Sequence, residues 1–162
     1  MAARKSTSSS VGSEVKIAIL AVPMSRSSWV MARFEEAGFF LGDVDRRICE
    51  KYPAGRLELW PLARATHSRS KADPLPREYW PELDLTGVRV AKCMPAWIEC
   101  LRVAGFNYWV AVKRGSARAD RYPHDEVLYA NQDFDPRAIY ARACDAILSR
   151  NTVEHTDQHA AA

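Results

Sequence analysis

The chain has no cysteine pair at metal-ligand spacing, no glycine-rich phosphate loop, no long apolar run and no dominant charge, and each absence closes a class of function. Its four cysteines, Cys49, Cys93, Cys100 and Cys144, are dispersed and form no C-x-x-C pair. Structural zinc sites draw two ligands from one tight turn, so no metal is expected. The 7 glycines build neither G-x-G-x-x-G nor the G-x-x-x-x-G-K-[ST] loop, and no cofactor is expected either. No segment reaches the roughly 18 continuous apolar residues that span a bilayer. The balance of 23 basic against 20 acidic residues, a formal charge of +3, is too small and too mixed to imply nucleic acid or an anionic membrane as partner. The N-terminal MAARKSTSSSVGSE continues in Ser, Thr and Gly where a secretory signal would be apolar. Unpaired cysteines suit a reducing compartment, so a cytoplasmic location is the expectation.

What is present is the pattern of one α/β domain. At 162 residues the chain can bury roughly 68–70% of its unfolded surface in a single core. An apolar content of 48% with 27% charged residues is an ordinary globular balance. Residues 1–13 read as a flexible lead-in, 14–150 as the domain and 151–162 as a flexible polar tail. Val15 to Val22 is a short β-branched run ending at Pro23, the signature of a central parallel strand buried on both faces. Trp29, Met31, Phe34 and Ala37 then recur at loosely helical spacing up to Gly38 or Gly42, with Ser27 or Ser28 expected as N-cap. A second short helix is expected over Asp43 to Tyr52 and a strand over Arg56 to Pro61.

Residues 63–84 are rich in Pro, Ser and charge without a period and read as a long connection, with Tyr79 and Trp80 pinning one end. Val88 to Cys93 resumes as a strand. Pro95 opens a helix whose Trp97, Ile98, Leu101 and Ala104 share one face, Gly105 closes it, and Asn107 to Val112 is a strand. Helix, stop and strand in that order form the second half of a parallel crossover. Tyr122 to Tyr129 is expected to contain a helical turn. Asp135-Pro136 is a helix start, followed at helical spacing by Ile139, Ala143 and Ile147, with a hairpin as the rival. The predicted fold is a Rossmann-like three-layer α/β arrangement around a mainly parallel sheet of four or five strands.

The segment Pro23-Met-Ser-Arg-Ser-Ser28 joins the first strand to the first helix, where ligands bind in open α/β sheets. Helix N-terminal amides carry partial positive charge, and the hydroxyls of Ser25, Ser27 and Ser28 with the Arg26 guanidinium could surround a phosphate or carboxylate. Asp43 and Asp45 stand at the D-x-D spacing of some divalent-metal sites, but Arg46 and Arg47 beside them fit a salt-bridged turn. They remain candidates for a sugar-hydroxyl contact or a general base. Arg64, His67, Arg69 and Lys71 form a basic cluster near aromatic residues, diluted by Asp73, Glu78 and Glu82. No serine or cysteine has a recognisable base motif beside it.

Trp97, Leu101, Arg102, Gly105, Tyr108 and Val110 or Val112, followed by Tyr122-Pro123, Phe134 and Tyr140, resemble the soluble α/β domain that ends several GT-C type membrane glycosyltransferases using polyprenyl-phosphate sugars. The resemblance covers residues 15 to 150 and rests on core and turn positions. It implies a non-catalytic binding or accessory domain without the membrane part, and it transfers no catalytic residue. The alternative is a small Rossmann-like enzyme or sensor that binds a nucleotide or sugar phosphate. A protein partner or a phosphorylated small molecule is the expected partner class.

Overall fold

The computed structural model describes residues 14–160, so the expected lead-in over 1–13 lies outside the described residues. Ile17–Leu20 form β1, and each of these residues is at most 1% exposed, as expected for an uninterrupted β-branched and aliphatic run. β1 is parallel to β2 (Val90–Cys93) on one edge and to β3 (Tyr108–Arg114) on the other, with Ile17 opposite Val90 and Tyr108. β4 (Ala117–Arg118) folds back antiparallel on the end of β3, and β5 (Glu126–Tyr129) runs parallel to β3. The result is the mainly parallel five-stranded α/β sheet that the sequence predicts.

Between β1 and β2 lies α1 (Ser27–Glu36), packed against both strands through Val30, Met31 and Phe34. It stops at Glu36, ahead of Gly38, as expected. Its N-cap is Arg26 rather than either serine, in a left-handed conformation and with no side chain capping the helix. The predicted helix over Asp43 to Tyr52 is absent. Its backbone groups are used across the chain instead: Asp45 N–H donates to the Glu58 carbonyl at 2.8 Å, and Leu57 N–H donates to the Asp45 carbonyl at 2.8 Å. The predicted strand over Arg56 to Pro61 contributes one isolated bridge, Val44 with Leu59, and the chain then enters α2 (Trp60–Ala65), with Pro61 in its first turn.

Residues 66 to 89 carry only a short 3-10 turn at Arg77–Tyr79. Trp80 packs against the core and its indole N–H donates to the Leu75 carbonyl at 2.8 Å within the connection, whereas Tyr79 stays exposed under the Arg69 guanidinium. A 3-10 turn at Pro95–Trp97 leads into α3 (Ile98–Val103), which buries Trp97, Cys100 and Leu101 before Gly105.

Tyr122 to Tyr129 is not helical. It delivers β5, whose Glu126 accepts a hydrogen bond from the Tyr108 hydroxyl at 3.2 Å. Burial and the neighbouring Glu126 carboxylate push the Tyr108 phenol up to about 12. α4 (Pro136–Ala160) settles the helix against the hairpin, and it runs through 151–160, where a polar tail was expected. Phe134, just ahead of α4, meets Trp29 of α1 edge to face at 5.6 Å, and Tyr140 of α4 packs on Phe39, just after α1, at 5.3 Å. No helix among the described residues is long and apolar enough to cross a membrane.

One turn in the segment before α2 has no room for a side chain. Gly55 sits at φ +87°, and a Cβ there would stand 2.8 Å from the Arg46 Cα. Gly55→Ala is therefore expected to lower the urea-unfolding free energy by at least about 2 kcal/mol. Gly105→Ala, at φ +97° with open space around it, should cost only about 1 kcal/mol. Equal losses in the two variants would show that the close approach to Arg46 does not hold the turn.

Candidate functional site

The chain steps from β1 out to β2 and then returns past β1 to β3, so the direction of strand addition reverses beside β1. Crevices form at such reversals, outside the carboxyl ends of parallel strands. A cleft of about 500 Å³ opens there. Its wall includes Ser25 and Arg26 from the loop after β1, Ser27 and Ser28 from the start of α1, Lys92 from β2 and Arg114 from the end of β3.

The loop is tightly turned. Met24 and Arg26 both hold positive φ, +68° and +61°, which costs side-chain-bearing residues about 1 kcal/mol each. This turn brings Ser25 under the start of α1, where it is 1% exposed and its hydroxyl has no hydrogen-bond partner among the described residues. The buried Arg33 Nε and Trp97 Nε1 are likewise without partners, but neither residue lines the cleft. The Arg26 guanidinium donates to the Ala130 carbonyl at 3.0 Å and lies 4.4 Å from the Trp29 ring, so it is anchored at the cleft edge. Val30 N–H returns to the Arg26 carbonyl, whereas among the described residues no backbone carbonyl takes the amides of Ser27, Ser28 or Trp29. The 10-residue α1 thus presents free donors and the positive end of its dipole to the cleft.

Lys92 is the group that reading the sequence missed. It sits in the interior of a strand and is 2% exposed. Its ammonium donates to Ser28 Oγ at 2.8 Å and to the Arg56 carbonyl, which also accepts the Ser28 hydroxyl at 3.1 Å. Among the described residues it has no salt bridge. Glu58, the carboxylate acting most strongly on it, is itself paired with Lys71 at 3.1 Å. Burial pushes the Lys92 ammonium down to about 8, against the pull of Glu58 and Asp45 and with the help of Lys71 and Arg56. The available signal was a lysine inside Val90-Ala-Lys-Cys93, a run otherwise composed for burial on both faces.

The sequence-predicted set divides in two. Ser25, Arg26, Ser27 and Ser28 line the cleft, but Asp43 and Asp45 do not. Asp43 is exposed. Asp45 is buried and takes two hydrogen bonds from the Arg47 guanidinium at 3.0 Å, which hold its carboxyl below the usual range. The basic cluster is also dispersed: Arg64 stacks on Trp60, Arg69 on Tyr79, and Lys71 is taken by Glu58. Cys93 and Cys100 are buried packing groups, and burial pushes both thiols up. Among the described residues no cluster of His, Cys, Asp or Glu could hold a metal ion. No protein family, curated protein or solved structure matches the chain.

An ammonium held without a carboxylate lowers stability. The depressed Lys92 value corresponds to a penalty on the order of 3 kcal/mol, present in full below about pH 8 and relieved as pH rises from about 8 to the unfolded value near 10.5. Lys92→Met, close in length and apolar, is expected to unfold at higher urea than the wild type at pH 7, by about 1–3 kcal/mol. That advantage should shrink between pH 8 and 10.5. A less stable variant at pH 7 would mean that Lys92 serves the fold.

Proposed function

We propose that the cleft binds an anionic small molecule, a phosphorylated compound of the nucleotide or sugar-phosphate kind. The observation that carries this reading is the Lys92 ammonium, buried without a salt bridge at a cleft that also holds an unpartnered hydroxyl and an uncapped helix start. A charge kept at a cost to the fold is explained when an opposite charge visits it. Arg26, Lys51 and Arg114 add positive charge to a lining whose carboxylates are Glu36 and Glu58, with Glu58 already paired. The chemistry of the site matches anion capture at helix N-termini, where backbone amides and a nearby cation share the ligand.

The Rossmann-like reading of the fold belongs with this proposal, since both rest on the crevice beside β1. The resemblance to the soluble domain of polyprenyl-phosphate-sugar glycosyltransferases supports a binding or accessory role and is compatible with a sugar-phosphate ligand. None of its matching residues lines the cleft, and Trp97 and Leu101 are core.

Thermal unfolding in the presence of inorganic phosphate, a nucleoside monophosphate or glucose 6-phosphate, each against chloride at matched ionic strength, tests the proposal. A ligand at ten times its Kd should add about 1.4 kcal/mol and raise Tm by about 3–5 °C. Lys92→Met should remove the shift, and Ser25→Ala and Arg26→Ala should reduce it. No shift with any of the three at 10 mM, or the same shift in Lys92→Met, would reject the reading.

A further inference from the structure

Two groups of the proposed anion site, Ser28 and Lys92, also form a pair with a chemistry that anion binding alone does not call on. Ser28 Oγ and Lys92 Nζ are 2.8 Å apart, both line the cleft, and the Arg56 carbonyl holds the two together. We infer that Ser28 and Lys92 form a nucleophile and base pair that hydrolyses an ester or thioester, with the free amides at the start of α1 receiving the oxyanion. The inference rests on the anion-site reading, because the donors that would hold an anion would receive the negative oxygen.

Three features fit the chemistry. A serine hydroxyl becomes a nucleophile when a neighbouring base takes its proton. Lys92 is such a base once neutral, and a value of about 8 leaves a working fraction of free amine at neutral to mildly alkaline pH. Glu58 and Asp45 favour the charged form, whereas Lys71, Arg56 and burial favour the neutral one. When Lys92 is charged it donates to Ser28, which donates to the Arg56 carbonyl. On deprotonation the amine keeps an N–H for the Arg56 carbonyl, and the Ser28 hydrogen can turn toward the nitrogen. Finally, Ser28 is the second residue of α1, so the free amides stand beside the nucleophile.

The steps balance without a cofactor. Ser28 Oγ bonds to the carbonyl carbon as its proton passes to Lys92, and the carbonyl π pair moves to oxygen. Collapse breaks the bond to the alcohol or thiol, which leaves with the proton from Lys92. Water then attacks the acylated serine and gives a proton to Lys92, and that proton returns to Ser28 Oγ as the acid departs.

The test uses p-nitrophenyl acetate as substrate and a fluorophosphonate probe, with the labelled peptide identified by mass spectrometry. The wild type should hydrolyse the ester with a rate that rises through about pH 8 and should carry the probe on Ser28. Ser28→Ala should lose both. Lys92→Arg, which keeps the charge but cannot act as a base, should lose at least about 100-fold in rate. Inorganic phosphate should slow the labelling, and this arm needs no variant. Labelling elsewhere, or a rate unchanged in Ser28→Ala or Lys92→Arg, overturns the pair. Phosphate that raises Tm without any label on Ser28 also overturns the pair and leaves the anion site standing. Label on Ser28 that phosphate does not slow supports the pair and counts against the anion site.

Discussion

Parallel pairing of β1 on both edges is the constraint from which the rest of the arrangement follows. Its four residues hydrogen-bond to β2 and β3 and are buried on both faces, so the strand has no freedom of register. That placement fixes where the chain leaves the sheet at Val22 and where α1 must begin. It also sets Leu20 opposite Cys93 and Ala111, so β1 and β2 end level with each other while β3 runs three residues further to Arg114. The cleft is the space left where the connections from these strands diverge. A shift of β1 by one residue would turn its side chains to the opposite faces and carry the start of α1 away from Lys92.

The second layer of control is the backbone of residues 43 to 60. The Asp45 pairing with Leu57 and Glu58, the Trp60 N–H to the Asp43 carbonyl, and the close approach of Gly55 to Arg46 close this segment on itself. It is the segment that brings the Arg56 carbonyl to Ser28 and Lys92, and it carries Glu58 toward the same lysine. Asp45, singled out as a possible contact residue, acts here as a support. Its carboxylate is spent on Arg47, and its backbone closes the turn that aims Arg56. The Arg56 carbonyl and Glu58 are therefore placed by a β-like bridge that has almost no regular secondary structure.

That division explains which features could be read from the sequence. β1, β2, α3, β3 and the start of α4 are set by local signals: β-branched runs, a proline in the first turn, a glycine stop and an Asp-Pro start. Each is decided within a few residues, so pattern suffices. The helix expected over Asp43 to Tyr52 and the strand over Arg56 to Pro61 failed because their backbone partners lie across the chain, and no local pattern records such a pairing. The same holds for Tyr122 to Tyr129, whose β state depends on the exposed edge of β3. Half of the candidate site's lining was legible for a topological reason, since a loop after the first parallel strand faces a crevice. The other half depended on Lys92, 64 residues beyond Ser28, and was visible only as one charge inside an apolar strand.

The energetic character of that charge bears on how the site is used. Most strands accommodate a lysine by letting the head group reach water, but the Lys92 head is turned into the cleft, where a serine hydroxyl and a peptide carbonyl are its partners. Neutral acceptors satisfy its geometry without cancelling its charge, so the group stays close to the balance between ammonium and amine. Pairing it directly with Glu58 would have fixed it as a cation. Lys71 prevents this by occupying Glu58, at 3.2 and 3.1 Å from the two carboxylate oxygens. The Lys71–Glu58 pair thus acts on the cleft at one remove. It keeps a carboxylate near enough to moderate Lys92 and too engaged to neutralise it, which is the balance that both the proposed anion site and the proposed base require.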